Sequence, residues 1–141
     1  MKKTVFRISL VLLAGSLVVM AAAQFGFMFD LPEALQVPRS YGFPAKLIGV
    51  AEILLAIGLM INRTAQAAAL HSLVLLSGMA VHYFMTPRFV EIFIKGASRV
   101  EQVSPTFIEF VPTVLLIALV FVVLVVGRKL AQAGSVAATV D

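Results

Sequence analysis

Four long apolar stretches dominate the chain, and each is close to the length that a helix needs to cross a bilayer. They are roughly Ile8–Phe27, Pro44–Ile61, Ala65–Met85 and Phe107–Gly127. A helix rises about 1.5 Å per residue, so about 20 apolar residues span the hydrocarbon. Only three residues separate the second stretch from the third, which predicts a tight hairpin. The pattern predicts an all-α fold, an integral membrane antiparallel four-helix bundle over residues 8–127.

The segments that flank these stretches are more polar. Residues 1–7 form a basic N-terminal segment, and we expect residues 128–141, which are rich in small side chains, to be a flexible tail. The first apolar stretch also resembles a signal peptide, because it follows a basic start and ends in three alanines before Gln24. Apolar residues resume at Phe25, so we expect this stretch to be retained as a spanning helix.

Two polar connections follow on the outer side of the predicted bundle. In the first, Asp30, Pro32 and Glu33 have the spacing of a helix N-terminus, and Pro38 would end that helix. In the second, residues 87–105, apolar and charged side chains would lie on separate helical faces. The apolar face carries Phe89, Ile92 and Phe93, and the charged face carries Glu91, Lys95 and Arg99. We predict an outer amphipathic interfacial helix here, which either covers helix ends or closes a pocket.

The composition supports a membrane protein. Of the 141 residues, 61% are hydrophobic and 13% are charged, whereas about a quarter of an ordinary soluble domain is charged. The chain has no cysteine, which excludes disulfides, thiolate metal sites, iron–sulfur clusters and thiol catalysis. The formal charge of +4 does not indicate a nucleic-acid partner, because the basic residues lie at the ends of spans, where membrane topology accounts for them.

The positions of Lys and Arg predict the orientation. With the N-terminus inside, the inner basic residues are Lys2, Lys3, Arg7, Arg63, Arg128 and Lys129. The outer basic residues are Arg39, Lys46, Arg88, Lys95 and Arg99. The inner set is larger and lies close to the spans, as the positive-inside rule requires. We expect a multi-pass protein of the bacterial cytoplasmic (inner) membrane with both termini in the cytoplasm.

Every predicted span contributes polar side chains to the outer half of the bilayer. These are Gln24, Lys46, Glu52, Ser77, His82 and Glu109. Glu52 lies about 12 Å from the outer end of its span, near the midplane. A charge there costs about 2.5–3.5 kcal/mol, so we expect Glu52 to be protonated, or paired with a cation or with hydrogen-bond donors. It would serve either as a structural strut between helices or as a group that handles a ligand or a proton.

Small residues surround Glu52 on its helix. Ala45, Gly49 and Ala56 share its helical face, so this stripe should face the bundle rather than lipid. In the third span a second seam is formed by His71, Leu75, Gly78, His82 and Met85. Lys46 is about 120° around the helix from Glu52, and its long side chain can reach either the bundle or the outer headgroups.

These features predict a polar pocket in the outer half of the bundle. We expect Glu52, His82 and Lys46 to handle protons or ligand. The remaining predicted lining residues are Gln24, Tyr41, Gly49, Ser77, Gly78, Tyr83 and Glu109. A bis-histidine haem does not fit, because His71 and His82 are about 16 Å apart along one helix. No Glu-x-x-His pair indicates a metal site, so we expect no metal, haem or iron–sulfur cofactor.

The stretch YGFPAKLIGVAEILLAIGLMINR and the later SLVLLSGMAVHYF resemble the DoxX-like family of small bacterial four-helix membrane proteins. The shared features are an aromatic-Pro start followed by Gly49, Glu52, Gly58, Leu59 and His82. The resemblance covers about residues 8–127. The family's name comes from a subunit linked to quinone-coupled thiosulfate oxidation, and another member is associated with membrane oxidative-stress defence. Because this chain lacks cysteine, the resemblance implies a quinone-binding or anchoring subunit.

Three classes of function remain open from the sequence. The first, which we favour, is a subunit of a membrane redox complex that binds a small lipophilic ligand such as a quinone, beside partner subunits or further copies of itself. The second is a proton-coupled small-molecule transporter with Glu52 as the coupling carboxylate. The third is an intramembrane acid–base enzyme of the isomerase, cyclase or epoxide-opening type. An accessory role fits the sequence better than a stand-alone enzyme.

Overall fold

The computed structural model of the chain describes residues 1–27, 31, 33–35, 42–86, 88–94, 97–104 and 106–138. Four long helices make up most of these residues: α1 (Lys2–Gln24), α2 (Phe43–Met60), α3 (Ala65–Met85) and α4 (Phe107–Ala138). A short 3₁₀ helix (Glu33–Leu35) and two strands, β1 (Arg88–Ile94) and β2 (Ala97–Val103), lie in the connections. The four predicted spans are therefore confirmed as helices.

All four helices are long and apolar enough to cross a membrane. Large apolar side chains stay exposed around the outside of the bundle, such as Leu54 (63%), Val74 (67%) and Leu115 (64%). A soluble protein would cover most of such a surface, whereas hydrocarbon accommodates it without cost. The distribution of apolar side chains thus supports a multi-pass membrane protein.

Each helix packs against two others. α1 contacts α2 and α4, and α3 contacts the same two helices. The core between them contains fully buried side chains from every helix, among them Leu13, Leu17, Leu59, Leu76, Val120 and Val123. The 3₁₀ helix packs against α3 and α4, and its Ala34 and Leu35 are buried. The two ends of the bundle are named here by residues that lie there: the Glu109 end, where α4 begins, and the Arg7 end, near the start of α1.

Two tight turns fix where helices end. α1 ends at Gln24, earlier than the predicted Phe27, because Gly26 adopts a φ of +93° that favours glycine. The backbone amides of Gly26 and Phe27 donate hydrogen bonds to the carbonyls of Ala23 and Ala22, respectively. This is the Schellman arrangement of a helix C-terminus. The predicted hairpin between the second and third spans is also present, since only residues 61–64 separate α2 from α3.

The C-terminal prediction is wrong in its boundary. α4 continues to Ala138, so residues 128–138 are helical rather than a flexible tail from residue 128 onward. Helical hydrogen bonding can continue through the small residues of this segment because alanine has the strongest helix propensity of all residues. At the other terminus, α1 begins at Lys2, so most of the basic segment 1–7 belongs to the first two turns of this helix.

The predicted interfacial helix in the second outer connection is also wrong. Residues 88–94 and 97–103 form two antiparallel strands in which Arg88 pairs with Val103 and Ile94 pairs with Ala97. β-Branched residues at Val90, Ile92 and elsewhere favour extended backbone, which outweighs the approximate helical spacing of the apolar positions. Of the other predicted outer helix, the 3₁₀ turn Glu33–Leu35 is seen, while Asp30, Pro32 and Pro38 lie outside the described residues.

Candidate functional site

Glu52 lies inside the bundle on a stripe of small residues. The buried positions of α2 are Ala45, Gly49, Glu52, Ala56 and Leu59, which recur every three or four residues along one face. The predicted stripe is therefore confirmed, and Glu52 itself is 0% exposed. Small side chains allow neighbouring helices to approach closely in lipid, and this close approach covers the carboxyl.

The closest approach to this stripe comes from α1. A Cβ atom added at Gly49 would lie 3.1 Å from Cβ of Gln24 and 3.1 Å from the ring of Phe25. A side chain at this position would require these neighbours to shift by a few tenths of an ångström, so glycine lets the C-terminal end of α1 lie closely against α2 one turn from Glu52. Gln24 is itself buried, as predicted for a residue of this region.

Neither carboxyl oxygen of Glu52 has a hydrogen-bond partner among the residues that the structure describes. Buried polar groups in proteins are almost always hydrogen-bonded, because an unmade bond costs about 1–3 kcal/mol. No described cation pairs with this carboxyl either, and an unpaired charge at such a place costs still more. Glu52 is thus a polar group whose hydrogen-bonding capacity is not used by the described part of the bundle.

Thr113 shares this property, and the sequence reasoning did not find it. Its side chain is 0% exposed and its hydroxyl has no partner among the described residues. It lies on α4 one turn beyond Glu109, toward the middle of the helix. The available signal was compositional, since Thr113 is the first hydroxyl residue of α4 and none follows it before Ser135.

A second polar contact lies at the Glu109 end. The Tyr83 hydroxyl donates a hydrogen bond to Oε2 of Glu109 at 2.5 Å, and the carbonyl of Thr106 is 3.4 Å from the same hydroxyl. Tyr83 is buried and Glu109 is half-buried. The two residues, both predicted to line the pocket, are thus brought together between α3 and α4.

The predicted seam of α3 does not face the interior. The buried positions of this helix are Ala65, Ala68, Ala69, Ser72, Leu76, Met79, Ala80 and Tyr83. Ser77, Gly78 and His71 are exposed, so the structure does not bring Ser77 and Gly78 into the bundle with Glu52. His82 is intermediate in exposure, and its Nε2 lies 3.4 Å from the Thr86 hydroxyl.

Lys46 lies away from Glu52. Its side chain is exposed, whereas the adjacent position Ala45 belongs to the buried stripe. An exposed lysine near the start of a spanning helix can extend toward the headgroups along its apolar stem. The predicted grouping of Lys46 with Glu52 is therefore not seen. Tyr41, another predicted lining residue, lies outside the described residues.

The described residues offer no group of three or more His, Asp or Glu side chains that could hold a metal ion. His71 places Nδ1 2.8 Å from the carbonyl of Ala67, one turn earlier on its own helix. What the interior does offer is isolated hydrogen-bonding groups in apolar surroundings, chiefly the carboxyl of Glu52 and the hydroxyl of Thr113. Such groups suit the orientation of a mainly apolar molecule that carries one or two polar atoms.

Comparison with known proteins adds no relative to this picture, because no family model, curated protein or solved structure matches the chain.

Proposed function

We propose that this chain is a DoxX-like membrane protein that binds a small lipophilic carbonyl compound, such as a quinone, within its four-helix bundle and acts as a subunit of a membrane redox complex. The family proposal rests on the second-span motif from Gly49 to Glu52, together with the number of helices able to span a membrane. The redox setting follows from the family alone.

The observation that carries the ligand proposal is the state of Glu52. A structural strut would be expected to have a partner on a neighbouring helix, but both oxygens of this fully buried carboxyl lack one among the described residues. A bound molecule with a polar atom would fill that role. The same argument applies to Thr113 on α4.

The chemistry of these two groups fits a carbonyl ligand. Without a described cation beside it, Glu52 is expected to be protonated, because the charged form is the costly one in an apolar interior. A protonated carboxyl and a hydroxyl are both hydrogen-bond donors, and a carbonyl oxygen accepts from either. A quinone, when bound, supplies the redox chemistry, while this chain holds and orients it and keeps a proton at Glu52.

The same geometry favours binding over acid–base catalysis. An enzyme that used Glu52 with Lys46 would need both groups on one face, yet Lys46 is exposed while Glu52 is buried. Catalysis by proton transfer requires the groups within hydrogen-bond reach of the reacting atoms. A ligand-binding subunit needs only the interior groups.

The placement in the membrane completes the proposal. The helices would run antiparallel in the bacterial inner membrane, with both termini in the cytoplasm. The basic residues of the Arg7 end would then lie inside, in agreement with the positive-inside rule. The Glu109 end would lie on the periplasmic side.

Equilibrium dialysis tests the proposal, with the full chain in lipid nanodiscs and a decyl-substituted benzoquinone as the probe. We expect saturable binding above that of empty nanodiscs. Glu52→Leu should weaken binding about tenfold or more, because it removes a hydrogen bond in an apolar site. Glu52→Gln keeps a donor and should lose less. Ser77→Ala, at an exposed position of α3, is the matched control and should bind as the unmodified chain does.

Circular dichroism and gel filtration establish that each variant is folded. If folded Glu52→Leu binds the benzoquinone as tightly as the Ser77→Ala control, the carboxyl does not contact the ligand. Absence of binding by the unmodified chain to both this probe and a naphthoquinone would remove quinones as the ligand class.

A further inference from the structure

The Arg7 end of the bundle carries a concentration of positive charge. Exposed basic side chains are present there on α1, on the α2–α3 turn and on α4: Lys2, Lys3, Arg7, Arg63, Arg128 and Lys129. The contact of Gly127 with Phe6 and Gln66 places the α4 pair at the same end as α1. No acidic residue occurs in the described parts of residues 1–24, 58–66 and 123–138, so this charge is not neutralised within the described chain.

A cavity opens between α1 and α2 at this end. It has a volume of about 210 Å³, and its lining residues are Arg7, Leu10, Val11, Leu59, Met60 and Asn62. Arg7 and Asn62 provide hydrogen-bond donors, while the other four provide an apolar wall. The side chains of Arg7 and Asn62 make no hydrogen bond or ion pair with any residue that the structure describes.

We infer that this cavity binds an anionic phospholipid. The guanidinium of Arg7 would bind the phosphate, for which its planar set of donors is well suited, and the amide of Asn62 would supply a further donor. The volume is below the 300–1,000 Å³ that is usual for a whole drug-sized ligand. It therefore holds the headgroup and the glycerol region, and the acyl chains run along the exposed sides of Val11 and Met60.

Orientation in the membrane accounts for basic residues at this end, but it does not account for a cavity. The positive-inside rule depends on the number of basic residues and does not require an apolar cavity beside an arginine. Arg7 is the basic residue that lines the cavity, while Arg128 carries the same charge at the same end of the bundle without lining it. This difference separates a lipid site from diffuse attraction to an anionic surface. The inference does not depend on the proposed function, because it concerns the opposite end of the bundle.

Native mass spectrometry of the full chain, released from detergent micelles after titration with lipid, tests the inference. We expect phosphatidylglycerol to bind in preference to phosphatidylcholine. Arg7→Gln should lower the affinity for phosphatidylglycerol about tenfold, the effect of losing a charged hydrogen bond. Arg128→Gln should leave it nearly unchanged. Val11→Trp places a large side chain at an exposed position that lines the cavity. It should abolish the binding of phosphatidylglycerol although it changes no charge.

Two results would overturn the inference. Equal losses in Arg7→Gln and Arg128→Gln would mean that the lipid responds to total charge and not to a site. Binding of phosphatidylglycerol by Val11→Trp at the level of the unmodified chain would mean that the cavity is not where the lipid lies. Inorganic phosphate added in excess should not displace the lipid, because the acyl chains contribute to its binding.

Discussion

The hydroxyl of Tyr83 on α3 donates a hydrogen bond to the carboxyl of Glu109 on α4. The bond joins the last turn of one spanning helix to the first turn of the next, across a connection that contains the β1–β2 hairpin. Tyr83 is 3% exposed, so its side chain is almost entirely removed from water. The bond therefore stabilises the Glu109 end of the bundle.

Tyr83→Phe should lower the free energy of unfolding by about 1.5–3 kcal/mol, the usual range for a hydrogen bond to a charged group. The measurement is unfolding in mixed micelles followed by circular dichroism. A double-mutant cycle with Glu109→Gln isolates the pair from other contacts of either residue. Strictly additive effects in that cycle would contradict the assigned bond.

Gly49→Ala should destabilise the contact between α1 and α2. The added methyl group would lie 3.1 Å from Cβ of Gln24, the last residue of α1, and 3.1 Å from the ring of Phe25, which follows it; overpacking of this kind costs about 1–3 kcal/mol. Gly78→Ala is the matched control, because nothing lies within 4 Å of a Cβ at that position. The control should be neutral or stabilised by up to about 1 kcal/mol through helix propensity. The packing of α1 on α2 would be wrong if both substitutions had the same effect.

Gly127→Ala tests the packing at the other end. A Cβ atom at this position would collide with the side-chain amide of Gln66. This amide, on α3, lies against α4 and donates a hydrogen bond to the carbonyl of Val123 at 3.2 Å. This amide is the end of a flexible side chain and can move aside, so we expect a loss of about 0.5–1.5 kcal/mol in stability, the contribution of the hydrogen bond to Val123 that it gives up. Gln66→Ala removes the collision, so in its background Gly127→Ala should cost much less. Equal costs in both backgrounds would exclude this contact.

Thr113→Val distinguishes an unused hydroxyl from a structural one. Because the Thr113 hydroxyl has no partner among the described residues, removing it should leave the empty bundle equally stable or more stable. Ser72→Ala is the comparison, since the equally buried Ser72 donates to the carbonyl of Ala68 at 2.8 Å and should lose about 0.5–1.5 kcal/mol. Thr113→Val should nevertheless weaken benzoquinone binding in the dialysis experiment. Unchanged binding would remove Thr113 from the proposed site.

The spans and the inward face of α2 could be predicted from the sequence, for related reasons. Hydropathy over about 20 residues identifies a helix that suits the bilayer. On α2, small residues around a lone carboxylate identify the packed face, and Ala45, Gly49 and Ala56 are buried as expected. In both cases the property that determines the structure, hydropathy for the spans and side-chain size for the packed face of α2, can be read directly from the sequence.

The face of α3 could not be predicted from its polar residues. In a spanning helix, interior and lipid-facing positions are both apolar, so alternation of polarity carries little information. His71 and Ser77 turned out to be exposed, whereas the small residues Ala65, Ala68, Ala69, Ser72 and Ala80 are buried. The rule that worked for α2, small residues inward, holds for these five residues of α3 but not for Gly78, which is exposed.

The sequence pattern did not predict the β1–β2 hairpin because the spacing of its apolar residues fits both a helix, with 3.6 residues per turn, and a strand, in which side chains alternate. Phe89, Ile92 and Phe93 match a helical face, but the many β-branched residues in the same segment favour strands. Gly96, between two such runs, is a turn signal that supports the hairpin. The sequence marks Thr113 only as an isolated hydroxyl residue of α4, and it could not show that this hydroxyl is unused, since hydrogen-bond satisfaction depends on the packed neighbours.

Infrared difference spectroscopy on the full chain in nanodiscs tests most directly whether Glu52 binds the ligand. The carbonyl stretching band of a protonated carboxyl, assigned by its loss in Glu52→Gln, should shift when the decyl-substituted benzoquinone is added, because the group gains a hydrogen-bond acceptor. The same addition should produce no such shift in Glu52→Gln. A benzoquinone that binds while the Glu52 band stays in place would contradict the account.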